Sequence, residues 1–114
     1  MRYGVYQIQL SDDVINRVNN GITCKGDLYK EVPEFAAKMH AMLGKAGPGL
    51  ELGLYEKVAE IEAADLDDVF EVGNIGPESK ITRLGRMSSV SVGDIIEAPD
   101  GVRSVVASFG FEPV

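Results

Sequence analysis

The sequence predicts an α+β domain, an antiparallel sheet of about four strands with two or three helices packed on it. Three observations lead there. Arg2 to Leu10 alternates as a strand does. Pro33 to Leu43 carries apolar residues at helical spacing. Arg86 to Phe111 (RMSSVSVGDIIEAPDGVRSVVASFGF) reads as two strands, a tight turn and an aromatic closing segment. At 114 residues the chain makes a single domain, 1–114, with room for a core and no need of a disulfide or metal.

Taken in order, the elements have local reasons. In residues 2–10, Tyr6, Ile8 and Leu10 share one face and Gln7 and Gln9 the other, which predicts a half-buried strand. Ser11 can cap a helix with Asp12 and Asp13 in its first turn, Val14, Ile15 and Val18 as its stripe, and Gly21 at its end. Cys24, the only cysteine, is expected as a small buried apolar residue. The Pro33–Leu43 helix starts on a proline suited to the first turn and presents Phe35, Met39, Met42 and Leu43. Gly44 to Gly53 is glycine-rich and predicts a surface loop. Its Gly-Lys lacks the following Ser or Thr of a phosphate loop and stands after a helix.

Leu54 to Ala63 fits helix and strand spacing equally. Asp65 then caps a short helix, Leu66 to Val72, with Leu66, Val69 and Phe70 inward, Asp67, Asp68 and Glu71 outward, and Gly73-Asn74 closing it. Ile75 to Leu84 reads as irregular, broken at Gly76-Pro77. Gly93 supplies positive φ and Asp94 bonds its local backbone to launch a strand over 93–98. Pro99-Asp100-Gly101 makes the turn, and 102–109 returns as a strand well inside the sheet.

Charge narrows the functions. Eighteen acidic against eleven basic residues leave a net charge of −7. That opposes binding to nucleic-acid phosphates and to anionic membranes, and permits binding to a basic protein surface. A single cysteine suits a reducing compartment. Nothing near Met1 resembles a signal peptide, and no apolar run approaches ~18 residues, so a cytoplasmic chain without a membrane span is expected. Catalysis finds little footing. Cys24 with His40 lacks a third orienting group, and one histidine cannot build a zinc site. Glu60, Glu62, Asp65, Asp67, Asp68 and Glu71 form the densest charge feature. Such a run is usually a solvated face, although paired carboxylates also serve acid–base work or Mg²⁺. Lys80, Arg83, Arg86 and Arg103 either pair with this cluster or form a small positive patch. No catalytic residue, metal or cofactor is assigned. The candidate binding residues are Asp65, Asp67, Asp68, Glu71, Arg86 and Asp94.

Leu66-Asp67-Asp68-Val69-Phe70-Glu71-Val72-Gly73-Asn74, then Arg86-Met87-Ser88-Ser89-Val90-Ser91-Val92-Gly93-Asp94-Ile95-Ile96, then Ser108-Phe109-Gly110-Phe111 resembles the YodL-like domain. That family occurs on plasmids, integrated elements and phages of bacteria. Its pattern has a tyrosine-led strand, a leucine-acid-phenylalanine-asparagine helix, a Ser-x-Ser-Val-x-Asp turn and a Gly-Phe ending. Tyr55 and Val58 match the leading strand, and on this resemblance 54–63 becomes the fourth strand. The likeness covers about half the chain, from Tyr55 onward. It departs at Ala107, where the family often has aspartate, and at Val105 and Val106, where it often has tyrosines. No polar role at those positions is carried over. The resemblance implies mobile-element ancestry and no particular activity.

The expected function is therefore a small acidic, non-enzymatic binding protein of a phage or mobile element that docks on a host or phage protein. The alternatives are a small-ligand or nucleic-acid module with a PUA-like strand-turn-strand and a site at Arg83, Arg86 and Arg103, an enzyme using the acidic cluster, and a structural or assembly subunit.

Overall fold

The computed structural model describes residues 1–9, 12, 16, 33–42, 47–107 and 110–114, those at 34 and 48 without their side chains. The predicted helix over 11–21 (Asp12 and Asn16 apart), Cys24, and Phe109 lie outside the described residues. The elements are β1 (Arg2–Ile8), α1 (Pro33–Met42), α2 (Gly47–Glu51), β2 (Tyr55–Glu62), α3 (Leu66–Ile75), a 3-10 turn (Glu78–Lys80), β3 (Ile81–Arg83), β4 (Ile95–Glu97), β5 (Arg103–Val106) and β6 (Phe111–Pro113). The strands form one antiparallel sheet in the order β3-β2-β1-β4-β5-β6. The α+β class is as expected, with two short strands more among the described residues than predicted. β3 lies in the stretch read as irregular, and β6 is the aromatic closing segment. Among the described residues no helix is long and apolar enough to cross a membrane.

β1 lies between β2 and β4, so both its edges are paired, and residues on both its faces are buried. Gln7, expected on a wet face, is 1% exposed. Its amide bonds the Ser88 carbonyl and Asp94, and its own oxygen accepts from the Ser88 N–H. A buried amide is tolerable only when satisfied in this way. Tyr3, Val5, Ala59, Ile61, Ile96 and Val106 line one face of the sheet. Val69 and Val72 of α3 and Val90 of the segment crossing beside it pack in the same cluster. On the other face Ile8 packs with Ala37 and Ala41 of α1 and with Leu54 and Tyr55. The stripe predicted for α1 is corrected: Phe35 is buried, but the small Ala37 and Ala41 make the contact and Met42 is exposed. Small residues allow close approach. A Cβ on Gly93 would stand 2.3 Å from the Ala41 carbonyl oxygen.

β2 explains its own ambiguity. The register with β1 shifts between Val5, opposite Ala59, and Tyr6, opposite Lys57, leaving Val58 as a bulge. One extra residue moves the side chains that follow to the other face. Tyr55 and Lys57 therefore share a face with Glu60, while Ala59 and Ile61 enter the core. The Lys57–Glu60 ion pair at 3.1 Å follows from that shift.

The expected loop at 44–53 is also corrected, since 47–51 forms α2. Glycine is a poor helix former, yet here it is required. A Cβ on Gly49 would lie 2.7 Å from Cδ1 of Ile8 and 2.9 Å from Cε2 of Tyr55. Packing outweighs a propensity cost of about 1 kcal/mol. Gly53, with φ of 65°, then turns the chain into β2.

Candidate functional site

α3 is built from its first residue inward. Asp65 is extended and its carboxylate accepts from the Asp68 N–H at 2.8 Å, while the Asp68 carboxylate accepts from the Ala64 N–H at 2.9 Å. Two candidate binding residues thus form a cap that satisfies one open donor of the helix, at Asp68, and ties down the residue before the cap, Ala64. Asp67 and Glu71 point outward as expected. Phe70 does not point inward; it is 41% exposed, and Val72 takes the buried position with Val69. Gly73-Asn74 does not close the helix, which runs to Ile75 and is capped at Gly76 with φ of 98°. Gly73 lets the helix approach the 86–92 segment, because a Cβ there would meet Cγ2 of Val90 at 2.3 Å. Asn74 joins the two by donating to the carbonyls of Phe70 and Val90.

Five of the described basic side chains are held in ion pairs. Arg2 and Lys57 share Glu60, Arg83 holds Glu78 at 2.7 Å, Arg86 holds Asp12 at 2.9 Å, and Arg103 holds Glu97 at 2.8 Å. Arg103 also lies 4.8 Å above the Tyr6 ring. Neither outcome expected for Arg83, Arg86 and Arg103 occurs. They do not pair with Glu60, Glu62, Asp65, Asp67, Asp68 or Glu71. They do not form one patch either, because Arg83 on β3 and Arg103 on β5 stand four strand spacings apart, about 19 Å. Asp67 and Glu71 are left without an ion pair among the described residues. Beside them stand exposed Phe70 and Ile75, the latter 84% exposed.

A groove opens at the start of α3 with a volume of about 530 Å³. Asp65 and Asp67 line it from the helix and Asp100 from the β4–β5 turn; Leu66, Ala98, Val102 and Phe111 give it apolar surface, with Tyr3 and Ser104 completing the lining. Among the described residues no basic side chain lines it. No sequence pattern marks Asp100 or Phe111 as a site residue. The sheet order that brings β6 beside β5 is what places Phe111 there, and no local pattern encodes that order.

Asp94 stands apart from this surface. It is 3% exposed and accepts from Gln7 and from the Ser91 N–H. Burial pushes its carboxyl above the ordinary 3.8, and the Ser91 and Gln7 bonds and the Lys38 charge only partly oppose this. The neighbouring Tyr55 phenol donates to the Gly93 carbonyl and is pushed up to about 12, first by burial and then by Asp94. This polar cluster holds β1, β2 and the Gly93 turn together. Arg86 is exposed and tied to Asp12. Among the described residues no group of three His, Cys, Asp or Glu side chains is placed to hold a metal ion.

No family model matches the chain, and neither a curated protein nor a solved structure matches it.

Proposed function

We propose that this chain is a small acidic binding protein that docks on a basic surface of another protein, and that it belongs to a phage or mobile element, the latter resting on the sequence resemblance alone. The observation that carries the docking reading is the outward side of α3. Its carboxylates Asp67 and Glu71 lack ion-pair partners among the described residues while Phe70 and Ile75 remain exposed beside them. The basic residues on the sheet and its edge are meanwhile neutralised where they stand. Unpaired like charge steers association with an oppositely charged surface, and exposed apolar side chains supply the contact once it forms. A net charge of −7 acts in the same direction.

The test is affinity capture from bacterial lysate with and without nuclease, using the wild-type chain and the Asp67→Lys/Glu71→Lys double variant. A protein retained after nuclease, lost with the double variant and weakened at high salt, is the expected result. Retention that vanishes with nuclease, or that ignores both substitutions, overturns the reading.

A further inference from the structure

We propose that the groove at the start of α3 receives a peptide segment of the partner that carries one large apolar side chain between basic residues; this deepens the docking reading and rests on it. The groove is two-faced in chemistry. Its apolar surface comes from Leu66, Ala98, Val102 and Phe111, and its carboxylates stand on two separate elements, Asp65 and Asp67 on the helix side and Asp100 on the turn. A volume of about 530 Å³ lies within the range of small binding sites and suits a single anchoring side chain with its backbone.

Charge selects the occupant. The helix N-terminus contributes roughly +0.5 of an elementary charge, which by itself would draw anions. Three carboxylates outweigh it sixfold, so cations are favoured at the rim. Among the described residues their capacity is not spent on basic neighbours: Asp65 accepts the Asp68 N–H, Asp100 accepts the Val102 N–H, and Asp67 has no partner there. A bare cation would leave the apolar surface wet, and a purely apolar ligand would leave the carboxylates without a counter-charge. An apolar side chain flanked by Lys or Arg satisfies both. The two-sided placement favours basic residues before and after the anchor, so that the chain crosses the groove from helix to turn.

The probe is a blocked pentapeptide with a central phenylalanine between two arginine–lysine pairs. It is titrated into isotope-labelled protein and followed by amide chemical shifts. Saturable shifts at Leu66, Val102 and Phe111 are expected. Affinity should fall about tenfold in Asp67→Asn/Asp100→Asn and at least fivefold when the central phenylalanine of the probe is replaced by alanine, while Glu51→Gln on α2 leaves it unchanged. Shifts confined to Phe70, Glu71 and Ile75 overturn the groove proposal and leave docking through α3 standing. Equal binding of the alanine peptide, or no saturable shift, also overturns the groove proposal. Loss of the captured partner with nuclease removes the docking reading itself.

Discussion

Asp94 shows how much one buried side chain decides. Its oxygen accepts from Gln7 and Ser91, and burial raises its pKa above 3.8. The folded protein therefore holds this proton more tightly than the unfolded chain does. Its term favours folding most at low pH and is lost as pH rises from about 4 through the raised value, by up to about 1.4 kcal/mol per pH unit. Exposed Glu78 works in the opposite sense. Arg83 holds its pKa down, so its smaller contribution is lost on acidification. Urea unfolding across pH 3 to 7 should show Asp94→Asn gaining on wild type over that window, because asparagine keeps the acceptor and loses the charge. Parallel curves would refute this. Asp94→Ala leaves the Ser91 N–H unsatisfied and should cost about 1–3 kcal/mol. The Gly93-Asp94 pair was legible as turn chemistry. That the carboxylate is buried, and so cannot take part in surface binding, was not, because its partner Gln7 is 87 residues away in sequence.

Among the elements, α3 was legible at its start and not at its end. An aspartate before Leu66 with another three residues on is a local signal, and it forms the cap as expected. Asp65→Ala should cost about 1 kcal/mol in unfolding free energy. Gly73 looked like a helix stop because glycine is read by its conformational freedom. Here it serves close packing. Gly73→Ala gains helix propensity of about 1 kcal/mol, but its methyl meets Val90 at 2.3 Å, and overpacking of that kind costs about 1–3 kcal/mol. Net destabilisation by thermal melt is expected, relieved when Val90→Ala is added. If Gly73→Ala is as stable as wild type, the approach of helix and segment is looser than described. The same logic governs β2 and α2. A bulge at Val58 shifts the alternation that sequence reading depends on, and contact with Ile8 and Tyr55 makes a helix of a glycine-rich stretch.

At the scale of the whole molecule, the sheet order sets the hierarchy of stability. β1 and β4 are central and carry Val5 and Ile96, both fully buried, whereas β3 and β6 are three-residue edges. Amide hydrogen exchange should be slowest in β1 and β4 and fastest in β3 and β6; the reverse order would contradict the topology. Local chemistry, readable in the chain, controls the α+β class, the alternation of β1, the Asp65 cap, the Gly93 and Asp100-Gly101 turns, and the acidic character of α3. Packing of distant elements sets the rest: β1 at the centre, Gln7 and Asp94 buried together, the arginines apart, and Asp67, Asp100 and Phe111 lining one groove. Those features depend on strand neighbours chosen by burial across the whole chain. A periodicity of two or of 3.6 residues states which face of an element is apolar, but not which other element will cover it.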